Sequence, residues 1–215
     1  MLQAIPPLQT VARGKIMLKP IVRSVALFTL FVAAIASAQE APDALVRKSV
    51  DEVLAVIKET KDQRKLVEVA EAKVLPYFDF TRMTRLAVGR NWSQASAAQQ
   101  KALENGFRTL LVRTYTTALS RTSGEARVEV KPFASKPGDD ETVVKTVATE
   151  PGRQAIQIDY RMAKAPGGWK VYDVVVENLS LVTNYRGSFQ SEIERSGIDG
   201  LIKVIEAKNQ KSREG

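Results

Sequence analysis

The hydrophobic period changes twice along this chain, and that change limits the possible folds more than any other feature. From Pro42 to about Arg121, apolar residues recur at helical spacing. Val46, Val50, Val53, Leu54 and Ile57 form one stripe, and Leu103, Phe107, Leu110, Leu111, Thr114 and Ala118 form another. Between residues 126 and 177 the period drops to two. Val128 and Val130 alternate with Arg127, Glu129 and Lys131, and Ile156, Ile158, Tyr160 and Met162 alternate with Ala155, Gln157, Asp159 and Arg161. Val143–Thr149 reads as a weaker strand and Trp169–Glu177 as the most apolar, central one. Pro137-Gly138-Asp139-Asp140, Pro151-Gly152 and Pro166-Gly167-Gly168 are turn chemistry, and links this short join strands antiparallel. Helical spacing then returns, with Val182, Tyr185, Phe189 and Ile193 on one face and Ile198, Leu201, Ile202 and Ile205 on another. The expected fold is α+β, with helices packed on one face of a four-stranded antiparallel sheet.

Local signals place the helix ends. Pro42 opens the first helix, where a missing N–H costs nothing. A second helix covers roughly Arg64–Val74 and ends before Pro76. Asp79 caps a short helix through Met83, Leu86 and Ala87, and Gly89 stops it. Ser96 with Gln99 fits a capping box for the helix that runs to about Arg121. Gly197 and Gly200 punctuate the entry to the last helix.

Residues 1–38 read as an address. The run from Ser24 to Ile35 has 12 residues, whereas a bilayer-spanning helix needs about 20. Arg13, Lys15, Lys19 and Arg23 precede it, no acid occurs before Glu40, and Ala36-Ser37-Ala38 supplies small residues for cleavage. This is the pattern of a secretory signal cut after Ala38, with the folded domain at 39–215 destined for export. Met17 would open a more conventional signal than Met1. Cleavage removes four of the 32 basic residues and none of the 24 acids, so the secreted chain carries +4 rather than +8. A charge that small does not call for nucleic acid as a partner.

The chain has no cysteine and no histidine. Disulfides, zinc-thiolate sites, thiol nucleophiles, Ser-His-Asp triads and histidine metal sites are thereby excluded. Carboxylates are the remaining catalytic candidates. Asp173 and Glu177 share a strand face, but four residues of strand separate them by about 13 Å, too far for a glycosidase pair. Alternation puts Asp159 on the polar face, and all three read as solvated sheet residues. Ser180 lacks a nucleophile elbow, Gly167-Gly168 is a hairpin turn rather than a phosphate cradle, and Asn91-Trp92-Ser93 is only a formal glycosylation sequon. No catalytic residue, metal site or cofactor is expected.

Two stretches resemble a known family. One is Asp79-Phe-Thr-Arg-Met-Thr-Arg-Leu-Ala-Val-Gly-Arg-Asn-Trp92, continuing through Gln99-Gln100 to Tyr115. The other is Tyr172-Asp-Val-Val-Val-Glu-Asn-Leu-Ser-Leu-Val-Thr-Asn-Tyr-Arg-Gly-Ser-Phe189, followed by Gly197-Ile-Asp-Gly-Leu-Ile202. Together they resemble the MlaC, or toluene-tolerance, family of periplasmic phospholipid carriers, over about residues 42–210. Asn178 departs from the glycine usual in that family, and asparagine is the next-best occupant of a positive-φ corner. The resemblance implies a curved sheet of NTF2-like character and a deep apolar cavity holding acyl chains, within one lipid-carrier domain. Its helices would span 42–122, its sheet 126–177 and its C-terminal helices 179–210. It implies phospholipid as cargo. It also implies exchange with an inner-membrane ABC transporter through an MCE-domain subunit and with an outer-membrane lipoprotein–porin complex, so that outer-membrane lipid asymmetry is maintained.

On that reading the candidate wall residues are Tyr77, Phe78, Met83, Leu86, Phe107, Leu111, Tyr115, Tyr160, Val174, Val182, Tyr185 and Phe189. Arg186 is the first candidate for the head-group phosphate, with Arg85 and Arg90 next, because the planar guanidinium fork matches phosphate oxygens. Three other readings stand beside it. One is a carrier of another lipid such as a hopanoid. Another is a small isomerase using Asp173 with Tyr160 or Tyr185 in an apolar pocket. The last is an interaction module with a filled core.

Overall fold

Four polar side chains fix where the helices begin. Asp62 accepts the Arg64 N–H at 2.8 Å and starts α2 (Gln63–Val69). Asp79 accepts the Arg82 N–H at 2.8 Å and starts α3 (Phe80–Val88). Ser96 and Gln99 close both halves of the capping box, at 3.2 and 2.9 Å, ahead of α4 (Ala97–Ser120). Before them, α1 (Pro42–Glu59) has proline in its first turn and no side-chain cap. The structure, a computed structural model, describes residues 40–133 and 138–214. The expected cleavage after Ala38 and the choice between Met1 and Met17 lie outside the described residues.

The second helix differs from expectation at its end. After Val69 the chain passes through a π-helical turn at Ala70–Val74 and a 3-10 turn at Leu75–Tyr77, so Pro76 sits inside a turn rather than beyond it. The long stripe of α4 also drifts. Leu103, Phe107, Leu110 and Leu111 are buried, but Thr114 and Ala118 are exposed and Thr116 is buried instead. A straight helix slips against any fixed stripe over 24 residues, and the last turns of α4 face α2, where Gln63 reaches Thr117 at 2.6 Å.

The sheet has five strands where four were expected: β1 (Arg127–Val130), β2 (Glu141–Thr149), β3 (Ile156–Ala165), β4 (Gly168–Val176) and β5 (Leu179–Ser180). They pair antiparallel in chain order, an open meander. The extra strand comes from residues assigned by sequence to the last helix. Glu177 and Asn178 take φ of 47° and 65°, which folds Val176–Leu179 into a two-residue hairpin. Only then does α5 (Leu181–Glu214) begin, with Ser180 Oγ accepting the Thr183 N–H at 3.0 Å. Gly197, at φ 73°, breaks α5 into two helical segments, whereas Gly200 lies within the second. A Cβ-bearing residue without asparagine's tolerance should strain the hairpin. Asn178→Ala is expected to lower stability by about 1 kcal/mol, read as a shifted urea midpoint at unchanged slope. An unshifted midpoint would mean the corner relaxes freely.

Register explains which face is covered. The rows Val130–Thr146–Ile158, Val144–Tyr160–Val174 and Thr142–Met162–Val171 share a face, and Leu45 and Val46 of α1 join that cluster. A bulge leaves Tyr172 without a partner, because Met162 pairs with Val171 and Arg161 with Asp173. Tyr172 and Asp173 therefore face away from α1. Asp173 is not the solvated residue that alternation suggests. It is 2% exposed, 3.2 Å from Arg161 and 3.3 Å from the Val182 N–H, which makes it an anchor for the start of α5. The same strand holds the start of α3, through the Asp79 N–H to the Val171 carbonyl at 2.9 Å and a parallel bridge from Phe78 to Val171. Arg82, in the first turn of α3, adds a third tie. Its guanidinium lies 3.6 Å from the Tyr172 ring centre and 2.6 Å from Glu141, and the Arg82 hydrogen bond, with a second from the Tyr172 hydroxyl at 3.0 Å, holds the Glu141 carboxyl below its ordinary range.

Candidate functional site

Eleven of the twelve predicted wall residues fall into two apolar clusters that meet at Phe78. On the sheet side are Tyr77, Phe78, Tyr160 and Val174, packed with Val144, Met162, Trp169 and Val171. On the helix side are Met83, Phe107, Leu111, Tyr115, Val182, Tyr185 and Phe189, packed with Leu103, Leu201 and Ile205. The exception is Leu86, which is 37% exposed and belongs to neither cluster. Helical spacing explains its position: α3 buries the stripe through Met83, Ala87 and Val88, and Leu86 lies off it.

The helix-side cluster is organised by aromatic edges. Phe107, fully buried, has its ring centre 5.1 Å from Tyr185 and 5.2 Å from Phe189, both near perpendicular, and Tyr185 lies 5.5 Å from Phe189. Burial pushes the Tyr115 hydroxyl up to about 12, with Tyr185 adding in the same direction. It likewise pushes Tyr160 up to about 12, against a smaller opposing pull from the Thr146 hydroxyl. Both phenols are thus neutral hydrogen-bond donors across the ordinary pH range. Ser49 lies on the inner stripe of α1, between Val46 and Val53, and its Oγ is a buried polar atom with no hydrogen-bond partner among the described residues.

The open hollows lie elsewhere. One of about 610 Å³ is lined by Lys58, Gly124–Arg127 and Thr149–Pro151. Another of about 340 Å³ sits beside the β4–β5 hairpin, between Arg161, Asn178–Ser180, Thr183 and Asn184. Neither is lined by a predicted wall residue. In this conformation the predicted walls pack on one another. The isomerase pairing with Tyr160 does not form either: Asp173 and Tyr160 lie on opposite faces of the sheet, and both Asp173 oxygens are engaged.

Of the three candidate arginines, Arg186 reaches Gly89 with its side chain, while Arg85 and Arg90 flank that glycine in the chain. Gly89 has φ 64°, and the place a Cβ would occupy on it is 3.4 Å from Arg186 Nε, so the exposed Arg186 guanidinium rests on bare backbone at the end of α3. The Gly89 N–H donates to the Arg85 carbonyl, and Arg90 follows next in the chain. Arg90 makes an open ion pair with Glu194 at 3.9 Å. What sequence reasoning missed is the sheet-side partners Val144, Met162, Trp169 and Val171. Their signal was the alternation itself, which marks an inward face without saying that it meets the helix-side cluster.

The sequence profile of the family described as MlaC protein matches residues 47–207, which is most of the chain. The chain belongs to the MlaC family. It is 22% identical over 189 residues to the Haemophilus influenzae intermembrane phospholipid transport system binding protein MlaC, covering 84% of this chain and 87% of that protein. Among solved structures, it is 36% identical to the phospholipid-binding protein from Ralstonia solanacearum in complex with a phospholipid. The TM-score is 0.73, and the match covers 80% of this chain and 98% of the other. Both relatives are described as phospholipid transport or binding proteins. Among the described residues no helix is long and apolar enough to cross a membrane, and no acidic cluster could hold a metal ion.

Proposed function

We propose that this chain is a periplasmic phospholipid carrier whose cargo tails lie between the helix-side and sheet-side clusters. The observation that carries the reading is the pairing of two apolar clusters across one seam at Phe78, in a chain 36% identical to a protein solved with a phospholipid. The helix-side cluster is tied to β4 at the starts of α3 and α5, while the sheet-side cluster is built on β4 itself. Separating them away from those ties opens a slot with apolar walls on both sides, the deep cavity expected from the family. Tails would replace wall-to-wall contacts, and an ester carbonyl near α1 would give Ser49 Oγ an acceptor. Arg186, exposed and one residue past the Tyr185 wall position, would meet the phosphate at the mouth. The carrier would receive and deliver cargo while docked, at an outer-membrane lipoprotein–porin complex and at the MCE-domain subunit of an inner-membrane ABC transporter.

Mass spectrometry of lipid extracted from the purified protein tests the cargo. A two-tailed phospholipid in the native extract is the expected result. A hopanoid would replace the cargo, and a lipid-free protein that takes up nothing from vesicles would overturn the carrier altogether. Arg186→Gln is expected to weaken phospholipid loading about tenfold, the worth of one charge-assisted hydrogen bond, with Arg186→Lys retaining part of it. Unchanged loading in Arg186→Gln would remove the phosphate role and leave the guanidinium as a cation at the C-terminal end of α3.

A further inference from the structure

One of the basic stretches of the folded chain runs from α3 into α4. Residues 80–103 contain Arg82, Arg85, Arg90 and Lys101 and no acid. Two of the four are neutralised, Arg82 by Glu141 at 2.6 Å and Lys101 by Glu104 at 3.3 Å. Arg85 makes no ion pair among the described residues. Arg90 has only the open contact to Glu194, with both side chains largely exposed. Arg186, also without an ion pair among the described residues, is brought to the same corner by its rest on Gly89. Leu86, the one predicted wall residue outside both clusters, follows Arg85 in α3 and is 37% exposed, and Arg90 lies just past the helix end at Gly89. An exposed apolar side chain at a corner of under-neutralised arginines matches a surface that is anionic outside and apolar just beneath.

We infer that the corner formed by the end of α3 and the 3-10 turn Gly89–Gln94 docks this protein directly on an anionic bilayer surface. Leu86 dips below the head groups, while Arg85 and Arg90 contact their phosphates. The purpose of this face rests on the carrier reading, since docking here places the helix-side cluster, entered beside Arg186, against the membrane. The attraction is electrostatic and therefore weakens with salt.

Sedimentation of the full mature protein with phosphatidylcholine vesicles, with and without phosphatidylglycerol, tests the inference. Binding is expected only to the anionic vesicles and is lost at high salt. Arg85→Gln should weaken it about fivefold, whereas Lys203→Gln, the same charge change on α5, should leave it as in wild type. Leu86→Ser should weaken it severalfold while the phospholipid extracted from the protein stays the same. Equal binding to neutral vesicles, equal loss from Arg85→Gln and Lys203→Gln, or binding that requires an acidic protein partner instead of vesicles would each overturn the docking face. A protein that docks as expected but carries no lipid would instead overturn the carrier reading, so the two failures are distinguishable.

Discussion

Replacing Phe107 with alanine is expected to remove about 3–5 kcal/mol of stability from the lipid-free protein and to lower its midpoint of thermal unfolding by roughly 6–20 °C. Phe107 is fully buried, and the perpendicular rings of Tyr185 and Phe189 both close on it. Truncation therefore removes a side chain, two aromatic edges and the packing they share. Neighbouring Gly106 limits relaxation, because the place of its Cβ is 2.9 Å from Ile205 Cγ2, so α4 and α5 already touch at van der Waals distance. The loaded protein should lose less. If Phe107 is a wall of the slot, an acyl tail can fill part of the space its ring leaves, and bound lipid stabilises the folded state further by mass action. Thermal unfolding of delipidated and phospholipid-loaded forms checks both parts. Equal losses in the two forms would make Phe107 ordinary core, and no loss in either would mean the helix-side cluster is not packed around it.

What could be read from sequence and what could not divide along physical lines. Helix starts were legible because a cap is a local event: Asp79, Ser96 and Gln99 each satisfy backbone groups within three residues. The meander was legible because two-fold alternation and short turns leave an antiparallel chain few alternatives. The fifth strand was not, since Glu177 is a residue that rarely takes φ of 47°, and what holds it is the pairing of Val176 with Leu179 and its own hydrogen bonds to Gln157 of β3. The burial of Asp173 was not legible either: the bulge at Tyr172 sets it on the face away from α1, and the start of α5 covers it there, with the Val182 N–H donating to its carboxylate. Wall candidates were legible as apolar stripes, and all but Leu86 reached one cluster or the other. Whether a stripe faces its neighbour or a cargo is not a property of the stripe. It depends on how two clusters meet, which is why the seam at Phe78 emerges only from the assembled fold.

A phospholipid once loaded should stay bound in buffer and leave only on contact with an acceptor. Two tails of about 15 carbons, at ~0.8 kcal/mol per CH₂, favour the protein over water by roughly 20–25 kcal/mol. That figure is an upper bound here, because Met83, Phe107, Val182 and Phe189 already bury one another and must separate before a tail can enter. If opening offset half of it, about 10 kcal/mol would remain, and escape into water would still be disfavoured by a factor of about ten million. Against a bilayer the tail contribution nearly cancels, since both sites are apolar, while the cost of parting the walls does not. Uptake from a membrane is therefore uphill by the cost of parting the walls, unless the docked surface offsets it. With a fluorescent phospholipid in the protein, dialysis against buffer should leave the label in place. Transfer to vesicles should speed up in proportion to vesicle concentration, because contact is the route. A transfer rate independent of acceptor concentration would instead mean that lipid leaves through water, and a slot closing on both tails could not release it that way.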